Sequence, residues 1–144
     1  MDNQPDDSTI ALWVRLMRAS TAVLEAIEGR LKADGLPPLA WYDVLLELDR
    51  AGEDGLRPMA LEERLLLPQY GTSRLLKRLE EAGLTARASV PEDGRGFRVT
   101  ITEAGRQMRR RMWPVYSAVL QERIGDRFAP GEREAAVALL ARLG

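Results

Sequence analysis

The stretch Leu67–Ile101, LPQYGTSRLLKRLEEAGLTARASVPEDGRGFRVTI, predicts a helix followed directly by a β-hairpin with a basic tip. Within a helix over Pro68–Ala82 the residues divide into two sides. The apolar side holds Thr72, Leu75, Leu76, Leu79 and Ala82. The polar side holds Ser73, Arg74, Lys77, Arg78 and Glu81. Pro68 suits a first helical turn and Gly83 suits the position after the last turn, which defines the expected ends of this helix.

After Gly83 the apolar period changes to two, which indicates β-strands. The expected inward residues are Leu84, Ala86, Ala88 and Val90 in one strand and Phe97, Val99 and Ile101 in the other. Pro91–Gly96 forms the connecting loop, in which two glycines can adopt positive φ. The loop lifts Arg95 away from the body, where its guanidinium could enter a DNA minor groove.

Each of these elements alone has an ordinary explanation. A helix with three cations on its polar side is commonly just solvated, and an Asp-Gly turn is commonly just a turn. Their order is more informative, since a short helix, a tight turn, a polar-faced second helix and a two-stranded wing form a winged helix-turn-helix. In that arrangement the second helix enters the DNA major groove.

The composition limits the chemistry available to the chain. Its 144 residues suffice for one domain with a sizeable core and leave little room for a separate catalytic domain. The sequence contains neither cysteine nor histidine. This excludes disulfides, thiol-based redox sensing, thiolate or imidazole metal ligation, and Cys-His or Ser-His nucleophilic catalysis. We therefore expect no metal and no cofactor.

The charge is divided unevenly along the chain. The formal net charge is -1, but the segment Arg64–Arg111 holds eleven Lys or Arg and five Asp or Glu, a net charge of +6. The rest of the chain consequently carries -7. A basic segment on an acidic body orients a protein on a polyanion such as DNA while keeping it soluble.

The first nine residues, MDNQPDDST, lack the basic and apolar regions of a signal peptide. No apolar run approaches the length of a transmembrane helix. We expect a cytoplasmic protein with no membrane partner.

The first helix, expected over about Thr9–Lys32, carries an unusually wide apolar surface. Its apolar positions form two adjoining stripes, made of Ile10, Trp13, Val14, Met17, Thr21, Leu24 and Leu31 and of Leu16, Val23 and Ile27. Together they cover about half the circumference, more than the ~100° of an ordinary surface helix. The width favours contact with both the rest of the domain and a second subunit, although a central core helix would give the same pattern.

Further helices are expected on both sides of the stretch Leu67–Ile101. One runs from Leu39 to about Arg50 and ends at Gly52, Leu56 could form a minimal strand beside the wing, and Pro58–Leu66 makes the short helix. After the wing, Thr102 is the expected N-cap of a long helix that Pro114 should kink or break. A last helix follows Pro130.

This order of elements resembles the MarR family of winged helix-turn-helix transcriptional regulators over nearly the whole chain. The motif that carries the resemblance is LLKRLEEAGLTARASVPEDGRGFRVTITEAGR. Its matching positions are Leu79, Glu80, Gly83, Leu84, Arg87, Asp93, Arg95, Thr102 and Gly105. The resemblance implies a mostly α fold with a small β-wing (α+β), in one domain over residues 1–144. Dimerisation helices at about 9–34 and 103–144 would flank a DNA-binding region at about 38–102.

The family resemblance also implies a homodimer that binds palindromic promoter DNA and is released by a small ligand. Asp93 would steady Arg95 as the minor-groove reader. The expected DNA-binding residues are Gln69, Tyr70, Gly71, Ser73, Arg74, Lys77, Arg78, Arg87, Asp93, Arg95 and Arg98. Leu66 and Pro68 depart from the small or polar residues common at the turn, so the register of residues 69–71 is open. Pro114 interrupts a helix that relatives often leave uninterrupted, and the absence of cysteine excludes the family's thiol-oxidation branch.

Two other function classes compete with a DNA-binding regulator. A winged-helix module that uses Tyr70 and the wing to bind a protein partner would not need the cations of the helix over Pro68–Ala82. An enzyme would need a carboxylate pair, and Asp43 and Glu47 lie one turn apart, but that spacing is ordinary on a surface helix.

A pocket for a small aromatic or amphipathic ligand is expected where the first, second and long fifth helices meet the wing. Its candidate walls are Trp13, Trp41, Tyr42 and Trp113. For each aromatic taken alone, a core or dimer-interface role is the simpler explanation.

Overall fold

A computed structural model describes residues 3–68, 71–90 and 96–144 of the chain. Its helices are α1 (Asp7–Ala33), α2 (Leu39–Ala51), α3 (Pro58–Arg64), α4 (Thr72–Glu81), α5 (Glu103–Arg123) and α6 (Pro130–Leu140). Strands β1 (Thr85–Ser89) and β2 (Phe97–Ile101) pair antiparallel into one small sheet, the wing. The expected mostly α fold with a β-wing is confirmed. Among the helices described, none has the length and apolar character needed to cross a membrane.

The chain divides into two compact units. One contains both chain ends, Met1–Arg30 and Val115–Gly144, and the other contains the middle segment, Leu31–Pro114. Both boundaries fall inside helices, namely α1 and α5. In the first unit, Arg30 of α1 and Glu122 of α5 form an exposed salt bridge of 2.9 Å between Nη2 and Oε2.

The middle unit is built on α2, an apolar helix with Leu45 and Leu48 fully buried. Pro38 precedes its first turn, and Gly52 ends it with a φ of 72°, as the sequence predicted. The residues packed together in the core are Val44, Leu45, Leu48, Leu56, Leu61, Leu76, Leu79, Leu84, Val99 and Ile101. Leu56 pairs with Val99 in an isolated β-bridge, which confirms the minimal strand. The core therefore joins α2, α3 and α4 to the wing.

Helix α4 starts later than predicted. Pro68 does not lie in its first turn, because Gly71 takes a left-handed conformation (φ 84°, ψ 48°) as the N-cap and the helix begins at Thr72. Only glycine adopts this conformation at low cost, so the chain reorients at this residue. The C-terminal expectation holds, since Gly83 follows the helix with a φ of 76°. Residues 69 and 70 lie outside the described part of the chain.

The predicted inward face of the first strand is only partly confirmed, because Leu84 and Val90, which flank β1, are buried as expected but the residues inside β1 are not. Ala86 and Ala88 are exposed, whereas Thr85 is buried. The register explains this, because Arg87 lies opposite Val99 while Ala88 lies opposite Arg98. Opposite residues in an antiparallel pair share a face, so Thr85 and Arg87 belong with the apolar face of β2. The prediction for β2 itself is confirmed, with Val99 and Ile101 buried.

Thr102 joins the end of the wing to the start of α5. As predicted, it is the N-cap, since its Oγ1 accepts the N–H of Gly105 at 3.1 Å. The same hydroxyl donates to the carbonyl of Gly83 at 2.7 Å, and its own N–H donates to the carbonyl of Leu84 at 3.1 Å. A Cβ at Gly105 would collide with that Leu84 carbonyl. The T-x-x-G motif therefore holds the end of α4 against the start of α5.

Helix α5 continues through Pro114 from Glu103 to Arg123. The sequence left two outcomes for this proline, a kink or a break, and the break is wrong. An interior proline removes one backbone hydrogen bond, which the rest of a 21-residue helix can tolerate.

Candidate nucleic-acid interface

Helix α4 has one buried face and one cationic face. Its buried residues are Thr72, Leu76 and Leu79. Ser73, Arg74, Lys77, Arg78 and Glu81 are all exposed, as the sequence predicted. In the described residues, none of the three cations forms an ion pair. The buried face fixes the helix while the cations remain available to an external polyanion.

Arg87 differs from these three cations because it has two partners. Its Nε lies 2.9 Å from Oε2 of Glu80 at the end of α4, and its guanidinium lies 4.4 Å from the ring centroid of Phe97. The first contact ties β1 to α4, and the second is a cation–π contact across the wing. The wing therefore holds the Arg87 guanidinium in a defined place beside the cationic face of α4.

Arg98 lies on the other face of the wing. It is half-buried, pairs with Ala88 across the two strands, and has Thr100 as its neighbour on that face. Arg98 therefore belongs to the face of the wing opposite to that of Arg87 and Val99.

Four of the expected DNA-binding residues lie outside the described part of the chain. They are Gln69, Tyr70, Asp93 and Arg95. Gly71 is described and exposed, and its role is the left-handed N-cap of α4. The predicted roles of Gln69, Tyr70, Asp93 and Arg95 in DNA binding therefore stay predictions.

The expected ligand-binding aromatics do not share one environment. Tyr42 of α2 and Trp113 of α5 stack with ring centroids 6.1 Å apart and an interplanar angle of 19°. Tyr42 is buried and Trp113 is 46% exposed, while Trp41 packs against the core of the middle unit. Trp13 is 62% exposed and belongs to the unit formed by the chain ends.

A network of charged side chains lies beside Tyr42 in the middle unit. Asp49 of α2 accepts from Nε of Arg109 at 3.0 Å and lies 3.5 Å from Nε of Arg106. Burial works to lower the pKa of Arg109, but its hydrogen bond to Asp49 and its interactions with Tyr42 outweigh burial and raise the pKa above the ordinary value. Arg109 therefore stays charged beside the aromatic stack.

The carboxylates considered for catalysis have separate structural partners. Asp43 does not lie on a surface helix face as expected, because it is only 7% exposed and accepts hydrogen bonds from two backbone amides. Glu47 instead pairs with Arg50 at 3.0 Å. The sequence pattern did not lead to the prediction that Asp43 is a buried hydrogen-bond acceptor. An acidic residue inside the apolar run WYDVLL is nevertheless an indication of such a role.

These elements define a winged helix-turn-helix: α3 and α4 with their connection, followed by the β1–β2 wing and the capped α5. Comparisons with known proteins agree with this class. A family model described as the MarR family matches residues 34–96. Among curated proteins, no sequence matches the chain significantly.

Several solved structures share the fold. AbsC, a MarR family transcriptional regulator from Streptomyces coelicolor, has a TM-score of 0.82 and 23% identity, over 99% of this chain and 95% of that one. Sco3205 from the same organism, a MarR family regulator in complex with DNA, has a TM-score of 0.85 and 22% identity, over 99% and 89%. BpsR of Bordetella bronchiseptica, whose DNA binding is regulated by 6-hydroxynicotinic acid, has a TM-score of 0.79 and 25% identity, over 92% and 98%.

The family match covers the central part of the winged helix-turn-helix, and the shared fold extends over nearly the whole chain. Residues 34–96 therefore match the MarR family model, and the chain has the winged-helix fold of the MarR family regulators AbsC and Sco3205.

Proposed function

We propose that the chain is a sequence-specific regulator that binds double-stranded DNA in the cytoplasm and inserts α4 into the major groove. The observation that carries this proposal is the cationic face of α4, where Arg74, Lys77 and Arg78 are exposed and form no ion pair with described residues. Exposed, unpaired cations on a firmly packed helix can meet phosphates and base edges without first breaking internal contacts. The net charge of +6 over Arg64–Arg111 adds long-range attraction.

Selection of a duplex from a random pool, followed by fluorescence anisotropy titrations over a salt series, tests DNA binding. The selected duplex should bind more tightly than a scrambled one, and the affinity for both should fall steeply with salt, because bound cations release counterions from DNA. An affinity that is independent of salt, with no selected sequence, would overturn the proposal and favour a protein-interaction module.

A homodimer on a palindromic site is part of the proposal. The unit that contains both chain ends exposes many large apolar side chains, namely Ile10, Leu12, Trp13, Met17, Leu24, Ile124, Phe128, Val137, Leu139, Leu140 and Leu143. Exposed apolar surface of this extent is typical of a region that a second subunit covers. Sedimentation at micromolar concentration should give one species of about twice 16.1 kDa. A stable monomer would contradict this part of the proposal.

We further propose that the protein is a repressor and that a small aromatic ligand releases it from DNA. Trp113, which is 46% exposed and stacks on the buried Tyr42, offers an aromatic surface in the middle unit, and Arg109, which binds Asp49, interacts with Tyr42. An exposed indole suits stacking by a small aromatic ligand. The regulation of BpsR by 6-hydroxynicotinic acid makes this compound a suitable probe.

The ligand proposal is tested with 6-hydroxynicotinic acid and benzoate on a bound operator duplex, and repression is tested with a reporter gene placed behind that operator. Either compound should release the duplex, and Trp113→Leu should weaken this response. Trp113→Phe is the matched control, because it keeps an aromatic ring at the same position. If neither compound binds the protein, the ligand proposal is wrong while DNA binding stands.

A further inference from the structure

Asp43 makes an unusual pair of hydrogen bonds. Its Oδ1 accepts the backbone N–H of Leu66 at 3.1 Å, and its Oδ2 accepts the backbone N–H of Leu67 at 2.9 Å. The carboxylate is 7% exposed on a helix whose neighbouring residues Tyr42 and Val44 are also buried. A buried carboxylate is costly unless hydrogen bonds compensate its charge, and both of its oxygens are used here.

The two amides belong to the connection between α3 and α4. Helix α3 ends at Arg64, and the chain then runs extended at Leu65 before Gly71 opens α4. The Leu66 side chain is 74% exposed, so packing of that side chain does not hold the connection in place. Leu65 packs against the core, and the bonds from Asp43 hold the backbone at Leu66 and Leu67 and tie it to α2.

We propose that Asp43 is a positioning residue of the DNA interface, an inference that rests on the proposed DNA-binding function. By holding the backbone at Leu66 and Leu67 ahead of α4, the carboxylate acts with the buried face of α4 to set where the first turn of that helix, with Ser73 and Arg74, meets base edges. Attraction to phosphates depends mainly on charge and tolerates small displacements. Base contacts require placement within about 0.5 Å, so loss of this anchor should affect sequence discrimination more than general affinity.

The substitution Asp43→Asn tests this inference because it preserves size but turns an N–H donor toward one of the two amides. The matched control is Glu47→Gln, which also neutralises a carboxylate of α2, one turn further on, where its partner is the exposed Arg50. Both variants are titrated with the selected duplex and with a scrambled duplex over a salt series.

Asp43→Asn should lower the ratio of specific to non-specific affinity by roughly tenfold, the lower end of what one charge-assisted hydrogen bond contributes. Its salt slope should equal that of the wild type, because no DNA-facing cation has changed. Glu47→Gln should leave both the ratio and the slope unchanged.

Amide hydrogen exchange gives a second, independent measurement. The N–H groups of Leu66 and Leu67 should exchange slowly in the wild type and in Glu47→Gln, and rapidly in Asp43→Asn. Fast exchange of both in the folded wild type would overturn the inference, whatever the binding data. A variant Asp43→Asn that fails to fold also overturns it, since the carboxylate would then support the whole domain rather than the interface.

The two proposals fail in different ways. If the wild type prefers no sequence, the proposed function is wrong. If the wild type discriminates and Asp43→Asn discriminates equally well, DNA binding stands and only the positioning role is wrong.

Discussion

Replacing Lys77 with glutamine tests the proposed interface through a single cation. Lys77 is exposed on α4 and forms no ion pair with described residues, so the fold loses no ion pair among them. Lysine and glutamine have similar helix propensities, and a surface change of this kind alters stability by about 0.5 kcal/mol or less. Each phosphate contact contributes about 0.9 to the slope of log affinity against log salt. A dimer loses two contacts, so the slope should fall by about 1.8.

This difference is large enough to measure. Over a salt rise from about 50 to about 200 mM, a difference of about 1.8 between the two slopes corresponds to about a 12-fold difference in how far the affinity falls. Wild type should therefore weaken about 12-fold more than Lys77→Gln across the series, measured by anisotropy on one duplex. Arg50→Gln, which removes an exposed cation of α2, should keep the wild-type slope. An unchanged slope in Lys77→Gln would refute the placement of α4 against phosphates, even if the affinity itself dropped.

Three further predictions concern the capped helices and the reading residues. Gly105→Ala should destabilise the protein by about 1 to 3 kcal/mol in urea titrations, because the new Cβ meets the Leu84 carbonyl; an unchanged midpoint would show that α5 can shift away. Hydrogen bonds from the Thr9 backbone and side chain and from Ser8 lower the pKa of Asp6 below its ordinary value of 3.8. The ionised Asp6 carboxylate therefore stabilises the first turn of α1 above that pH, and this stabilisation is lost as the pH falls through the lowered pKa. Amide exchange of the first turn against pH should show this loss in the wild type and not in Asp6→Asn. Arg74→Ala should reduce the ratio of specific to non-specific affinity, whereas Arg95→Ala should weaken both duplexes alike, and no effect of Arg95→Ala would leave the wing as a structural hairpin.

The helices were predictable because each combines a long apolar period with local start and stop signals. The observed α1 and α2 extend only one or two residues beyond the prediction, since a 3.6-residue period over several turns averages out single exceptions. Thr102 and Gly83 were predictable for a different reason. A cap depends on the chemistry of one residue and its immediate neighbours, which the sequence displays directly.

The inward face of β1 was not predictable from alternation. Ala86 and Ala88 are small enough for either face, so their apolar character carries little information over five residues. Arg87 shares the face of Val99 and Phe97 because its guanidinium stacks on the aromatic ring and pairs with Glu80. Phe97 belongs to the other strand and Glu80 to a helix, so the alternation of residues within β1 holds no information on either contact.

The placement of α4 depends on long-range contacts of the same kind. Ahead of the helix, Asp43 holds the amides of Leu66 and Leu67 from 23 and 24 residues away. Behind it, Thr102 holds the Gly83 carbonyl from 19 residues away. Because α4 is packed in the core and hydrogen bonds hold Leu67 ahead of it and Gly83 behind it, its exposed cations need little reorganisation when DNA binds, which reduces the entropic cost of association. Composition alone predicts a basic helix, whereas the buried face of α4 together with these two polar anchors gives that helix the fixed position that sequence discrimination requires.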